Sequence, residues 1–88
     1  MTEKKVTVPN RLGIHARPAA LLVKAAAEYA SDIHISFGGD RVNAKSIMGV
    51  MTLAACKGSE LTIEADGPDE GEAVEALAAI VRDGFGEE

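Results

Sequence analysis

Aromatic residues are scarce in this chain: they make up 3% of its 88 residues, with no tryptophan, one tyrosine and two phenylalanines. Alanine is abundant instead, with fifteen copies. The core must therefore consist of Ala, Val, Leu and Ile, and the small side chains allow helices to pack closely. The hydrophobic fraction of 47% excludes an intrinsically disordered or collagen-like chain. A length of 88 residues predicts one domain that covers residues 1–88.

Cysteine and long apolar runs are also lacking. Cys56 is the single cysteine, so no internal disulfide can form and a reducing compartment is favoured. The longest nearly apolar stretch, Ile47–Cys56, is about half of the roughly 20 residues that a membrane-spanning helix needs. Residues 1–13 carry Lys4 and Lys5 without an apolar run after them, which is not typical of a signal peptide. We therefore expect a cytoplasmic protein that does not insert into a membrane.

The net charge of −5 is the sum of two unlike halves. Residues 1–59 carry eight Lys and Arg against four Asp and Glu, which gives +4, whereas residues 60–88 carry ten acids against Arg82 alone, which gives −9. A nucleic-acid-binding domain is normally basic as a whole, so we expect no nucleic-acid partner. The basic first half suits an acidic protein partner instead.

Alternating apolar residues and turn signals predict seven elements. They are strands at Thr2–Val8, Ile33–Phe37, Asp40–Ala44 and Leu61–Ala65, and helices at Ala16–Ala30, from Ser46 to about Leu53, and after Gly67-Pro68-Asp69. The order β-α-β-β-α-β-α predicts an α+β open-faced sandwich, in which three helices cover one face of a four-stranded antiparallel sheet. The buried stripe expected for the first helix is Leu22, Val23, Ala26 and Ala30. We expect Cys56 to be buried as a small apolar residue and His34 to face solvent.

The segment Gly13-Ile14-His15-Ala16-Arg17-Pro18 lies where a loop becomes the first helix. His15 occupies or adjoins the N-cap, and the first N–H groups of a helix have no intrahelical partner, so such a terminus attracts anions. Arg17 adds a planar guanidinium that suits phosphate oxygens. The positive end of the helix disfavours a charged imidazole, which leaves a neutral, nucleophilic ring nitrogen. The alternative, that both residues are ordinary solvated side chains at a helix start, stays open at this point.

No second base, no phosphate-binding glycine loop and no metal-ligand cluster accompanies His15 in the sequence, so neither a metal nor a cofactor is expected. One histidine and one arginine do not make a substrate pocket. The site indicates a group that receives a phosphate from the active site of a partner, rather than a complete enzyme.

Two longer motifs, Asn10–Ala19 and Lys45–Met51, surround His15 and Ser46. They resemble the phosphohistidine motif and the regulatory-serine motif of the HPr family, the histidine-containing phosphocarriers of the bacterial phosphotransferase system. The element order and the closing Gly84-Phe85-Gly86 are also similar to the family, so the resemblance covers the whole chain. Some members of the family have a small polar residue where Leu12 stands, so we expect no side-chain assistance from this position.

The resemblance implies that enzyme I, charged from phosphoenolpyruvate, passes a phosphoryl group to Nδ1 of His15. Phospho-His15 then passes it to an enzyme IIA domain during sugar uptake. Arg17 and the N–H groups of Ala16 and Arg17 hold the phosphate. The family is one of stoichiometric carriers and not of enzymes, and we expect this carrier to be a monomer.

The resemblance also implies regulation and a docking surface. Ser46 suits the N-cap of the short helix, and in the family this serine is the target of an HPr kinase/phosphorylase. The short helix has more apolar residues than one buried stripe can use, so part of it is expected to face a partner. The expected docking residues are Ala20, Leu21, Lys24, Ile47, Met48 and Met51, with Arg17, Lys24 and Lys45 as a basic rim. Glu70 is expected to approach Arg17 when phosphate is absent.

Two other interpretations of the same residues stay open. A nitrogen-branch paralogue would use the same chemistry at His15 without moving sugar. A purely regulatory protein would act through phosphorylated Ser46 on another protein, but it would not need His15.

Overall fold

The strands and helices follow the predicted order in the computed structural model of the protein, which describes residues 1–87. The strands are β1 (Thr2–Thr7), β2 (Asp32–Phe37), β3 (Asp40–Asn43) and β4 (Glu60–Asp66). The helices are α1 (Ala16–Ala26), α2 (Ile47–Thr52) and α3 (Glu70–Arg82), and a 3-10 turn, Gly84–Gly86, follows α3. The α+β prediction and the order of the elements are confirmed.

The four strands form an antiparallel sheet in the order β1-β4-β2-β3. β4 lies inside the sheet and pairs with β1, where Val6 is opposite Leu61, and with β2, where Ile35 is opposite Ile63. Successive side chains of a strand point to opposite faces, so these apolar residues collect on one face of the sheet. The other face carries polar side chains, among them a half-buried His34.

The three helices cover the apolar face. Helix α3 packs on β1 and β4, and α1 packs beside α2 and α3. Ala, Val, Leu and Ile dominate the core as predicted, and Phe85 is its aromatic member. Full burial stabilises the fold by about 1.5–3 kcal/mol for each large aliphatic side chain. The largest of these buried side chains are Leu22, Ile33, Ile35, Leu61, Ile63 and Leu77.

Helix α1 is shorter than predicted, and this is a correction to the sequence analysis. It ends at Ala26, and Ala30, which was expected to be buried, is exposed. The reason is a contact distant in sequence: the backbone N–H groups of Ala30 and Ser31 donate to the carboxylate of Asp69 at 2.9 Å each. Ser31 is itself buried, so the chain leaves the helix to place this residue against the start of α3.

Cys56 was expected to be buried, and this prediction is wrong. It lies exposed in the loop between α2 and β4, where its backbone N–H donates to Oγ of Ser59 at 3.1 Å. The buried apolar position of this loop is the preceding Ala55. Within residues 1–87, no helix has the length and hydropathy to cross a membrane.

Candidate functional site

His15 is the N-cap residue of α1, as the sequence indicated. Its backbone is extended, with φ −100° and ψ −166°, and its carbonyl accepts the first helical hydrogen bond from the N–H of Ala19 at 3.0 Å. The His15 side chain makes no capping hydrogen bond to the described part of the helix. The ring is therefore free to project from the helix N-terminus. Pro18 is in the first turn, where its missing N–H costs no helical hydrogen bond.

A tight loop before His15 holds the helix start in place. Gly13 has φ 68°, and a Cβ there would lie 2.5 Å from the carbonyl oxygen of Ala55. The next residue, Ile14, donates its N–H to that same oxygen at 2.9 Å. The buried Asn10 closes the loop, because its Nδ2 donates to the carbonyl of Gly13 at 2.8 Å.

The carboxylate of Glu87 lies beside the ring of His15. Nε2 of His15 is 3.0 Å from Oε2 and 3.2 Å from Oε1 of Glu87. Nη1 of Arg17 donates to Oε2 at 3.3 Å, and Nδ2 of Asn10 donates to Oε1 at 3.0 Å. One carboxylate thus joins three polar side chains of the site.

These contacts stabilise the charged form of Glu87. The hydrogen bond from His15 is the largest cause, and it lowers the pKa of Glu87 below its ordinary value against the opposing effect of desolvation. Hydrogen bonds from Asn10 and Arg17 lower the pKa further. Glu87 is therefore an ionised carboxylate at neutral pH.

Glu70 does not approach Arg17, which is a further correction. It lies at the first residue of α3, where its carboxylate accepts a hydrogen bond from the hydroxyl of Thr2 at 2.5 Å. Arg17 instead donates to Oε2 of Glu87 and to the carbonyl of Phe85, both at 3.3 Å. The acid beside Arg17 is therefore Glu87 and not the predicted Glu70.

The remaining predicted phosphate-binding group, Ala16, lies exposed at the first position of α1. Its N–H and that of Arg17 belong to the first turn, whose N–H groups no carbonyl of the same helix can accept. His15, Ala16 and Arg17 therefore lie together at the positive end of the helix dipole.

Ser46 is the N-cap of α2. Its Oγ accepts a hydrogen bond from the N–H of Gly49 at 3.2 Å, and its side chain is exposed. Gly49 lets the helix approach the sheet, since a Cβ there would lie 3.3 Å from Cβ of Val42. The predicted capping role of Ser46 is confirmed by this geometry.

The expected docking residues share two adjacent helices, α1 and α2, which pack against each other. Leu21 is half-buried and the others are exposed: Ala20, Lys24, Ile47, Met48 and Met51. Val50 of α2 and the following Leu53 are buried instead. Lys45 was expected in the basic rim of this surface. It is half-buried instead, and its Nζ donates to the carbonyl of Tyr29 at 2.8 Å.

Two site residues were missed by the sequence analysis. Asn10 carried a weak signal, since Asn is favoured in turns, where its side chain bonds nearby backbone groups. Glu87 carried none, because 72 residues separate it from His15 and their contact depends on the path of the chain after α3. No group of three or more His, Cys, Asp or Glu within residues 1–87 could hold a metal ion.

Known proteins with this open-faced sandwich and high similarity to the chain are small phosphocarriers. A family model described as "PTS HPr component phosphorylation site" matches residues 2–83. The phosphocarrier protein HPr of Cupriavidus necator is 49% identical over 87 residues, which are 99% of this chain and 98% of that protein. The crystal structure of HPr-C-His from Thermoanaerobacter tengcongensis is 43% identical, with a TM-score of 0.95 over 100% of this chain and 99% of that one.

The chain belongs to the PTS HPr family. It is a phosphocarrier and not an enzyme, as predicted, and family membership implies partners within the phosphotransferase system. A crystal structure described as an HPr dimer from Thermoanaerobacter tengcongensis is 42% identical, with a TM-score of 0.79 over 99% of this chain and 100% of that one. The monomeric state of the present chain therefore stays a prediction.

Proposed function

We propose that Nδ1 of His15 accepts a phosphoryl group from phosphoenolpyruvate-charged enzyme I and donates it to enzyme IIA domains in sugar uptake. The observation that carries the proposal is the position of His15 as N-cap of α1, with its Nε2 against Glu87. A ring held by Nε2 has Nδ1 as its remaining nucleophile. Arg17 and the first-turn N–H groups lie where an anion is attracted.

The transfer is a displacement at phosphorus. The lone pair of Nδ1 forms the N–P bond while the bond between phosphorus and the donor atom of enzyme I breaks. Nδ1 must be unprotonated for this attack, so the reactive ring is neutral and carries its proton on Nε2. The arriving negative charge is offset by the helix N-terminus, including the N–H groups of Ala16 and Arg17, and by the Arg17 guanidinium. The Arg17 guanidinium must release the Glu87 carboxylate before it can donate to the phosphoryl oxygens.

Intact mass after incubation with phosphoenolpyruvate and catalytic enzyme I tests the proposal. We expect the mass of one phosphate to be added, and brief acid treatment to remove it. His15→Ala should add none, while His34→Ala, the matched control at the other histidine, should behave as wild type. An acid-labile phosphate on the His15→Ala protein would contradict the assignment. Transfer onward to a sugar-specific or a nitrogen-branch IIA domain separates the two branches.

The α1–α2 surface is the docking site in this proposal. Its exposed apolar residues, Ile47, Met48 and Met51, lie on a helix next to the one that His15 begins. Methionine adapts its shape to several partners, which suits a carrier that meets both a donor and an acceptor. Lys24 and Arg17 add positive charge that attracts an acidic partner surface.

Ser46 is the regulatory site in this proposal, phosphorylated by an HPr kinase/phosphorylase. A phosphate at the N-cap of α2 is compatible with the helix dipole, so it need not unfold the protein. Its roughly −2 charge would instead repel an acidic partner beside the docking residues. We expect Ser46→Asp to slow transfer from enzyme I, and more so at low salt. Ser36→Asp, on the uncovered face of the sheet, is the matched control, and equal kinetics of both variants would reject the electrostatic mechanism.

A further inference from the structure

The segment after α3 brings Glu87 to the histidine by an unusual backbone path. Gly84, Phe85 and Gly86 all have positive φ, at 68°, 59° and 72°. Phe85 is the exception that needs a compensating interaction, since a residue with a Cβ rarely adopts this conformation. Phe85 is 3% exposed, and its burial in the core holds the strained turn. The backbone N–H of Glu87 donates to the carbonyl of Gly84 at 2.9 Å. This hydrogen bond holds Glu87 beside the site.

The carboxylate of Glu87 is held from several sides. Asn10 donates to Oε1, Arg17 donates to Oε2, and the His15 ring meets both oxygens through Nε2. The side chain of Glu87 is 17% exposed, against 38% for His15. Such a carboxylate differs from a solvated surface acid, because its orientation is set by side chains from the loop before α1 and from the start of α1.

The direction of the His15–Glu87 hydrogen bond follows from the acceptor. An ionised carboxylate has no proton to donate, so Nε2 must carry the hydrogen. In a neutral imidazole the other nitrogen, Nδ1, is then an unprotonated acceptor. The contact therefore selects one tautomer of the ring and one orientation of Nδ1.

We propose that Glu87 is a positioning residue for phosphoryl transfer: it accepts the Nε2 proton of His15 and so presents Nδ1 unprotonated at the N-terminus of α1. The effect of Glu87 on the rate of transfer rests on the proposed function, whereas the hydrogen bond between Glu87 and His15 does not. Glu87 does not touch the phosphoryl group in this role. When phosphate arrives, Arg17 leaves Glu87, while the Nε2–H bond to Glu87 persists and stabilises the phosphorylated ring.

The test uses Glu87→Ala and Glu87→Gln, with Glu72→Ala as the control. Glu87→Ala removes the acceptor, and Glu87→Gln keeps an acceptor oxygen of the same reach without the charge. Glu72 is an exposed acid in the first turn of α3, so its loss changes the net charge equally. The first readout is the nitrogen spectrum of the His15 ring in the unphosphorylated protein, at a pH where the ring is neutral. The second is the initial rate of acceptance from phospho-enzyme I.

Wild type and Glu87→Gln should show a protonated Nε2 and an unprotonated Nδ1. In Glu87→Ala the two nitrogen shifts should move towards each other, because both tautomers become populated. The rate for Glu87→Ala should fall about tenfold, by analogy with carboxylates that orient metal-bound imidazoles. Glu72→Ala should match wild type in both readouts, and the Gln variant should retain most of the rate.

Two results would overturn the inference. Wild-type nitrogen shifts in Glu87→Ala would show that Glu87 does not hold the tautomer. A changed tautomer with an unchanged rate would show that the contact has no role in transfer. If wild type itself accepts no phosphate from active enzyme I, the proposed function fails, and the nitrogen spectra still decide whether Glu87 positions the ring.

Discussion

Gly13→Ala tests how the loop before His15 supports the site. The residue has φ 68°, and the added Cβ would lie 2.5 Å from the carbonyl oxygen of Ala55 and 2.7 Å from Cα of Cys56. Both are backbone atoms, so no side-chain rotation relieves the contact. The positive φ costs about 1–2 kcal/mol for a residue with a Cβ. Displacing packed neighbours costs about 1–3 kcal/mol more. The expected loss is therefore about 2–5 kcal/mol of the free energy of unfolding.

Gly38→Ala provides the matched control. Gly38 has φ 59°, but a Cβ there would meet nothing within 4 Å. Gly38→Ala should lose only the stability that the positive φ costs. The free energies of unfolding of the two variants should therefore differ by about 1–3 kcal/mol. Urea unfolding followed by circular dichroism measures both. The Gly13 variant should also accept phosphate more slowly, because the bond from the N–H of Ile14 to the carbonyl of Ala55 has to move. Equal stability of the two variants would refute the claim that this close approach fixes the loop.

Three further predictions concern stability and docking. The hydroxyl of Thr2 holds the pKa of Glu70 down, from 4.5 to about 2, so the contribution of Glu70 to stability is complete above pH 4.5 and is lost as pH falls towards 2. In urea unfolding, Glu70→Gln should therefore lower the free energy of unfolding at neutral pH and change it very little near pH 2. An equal loss at the two pH values would show that the charge of Glu70 is not what stabilises the fold. Ala54 follows α2 with φ 51°, so Ala54→Gly should raise the free energy of unfolding by up to about 1 kcal/mol, and a lower thermal midpoint would exclude strain there. Met48→Ala should weaken binding to enzyme I by at least about 1 kcal/mol in calorimetric titration without changing the thermal midpoint, and unaltered affinity would remove Met48 from the docking surface.

The fold and the histidine site were largely predictable because their signals are local. The spacing of apolar residues specifies helix or strand, Gly38-Gly39 specifies a hairpin turn, and a polar residue such as Ser46 specifies where a helix begins. His15, Arg17 and Pro18 fall within one turn of helix, so their arrangement at the N-terminus follows from the helix itself. The family motifs lie within the same short segments.

Contacts between distant segments required the tertiary structure. The sequence alone placed Glu70 near Arg17, whereas the fold puts Glu70 against Thr2 and brings Glu87 to Arg17 instead. Helix propensity extends α1 to Ala30, but the carboxylate of Asp69 takes the N–H groups there and ends the helix early. The preference for helix or strand depends on a few neighbouring residues, so the sequence was enough to predict it. Which acid meets His15 depends on how the buried Phe85 directs the chain after α3, and only the packed core decides that.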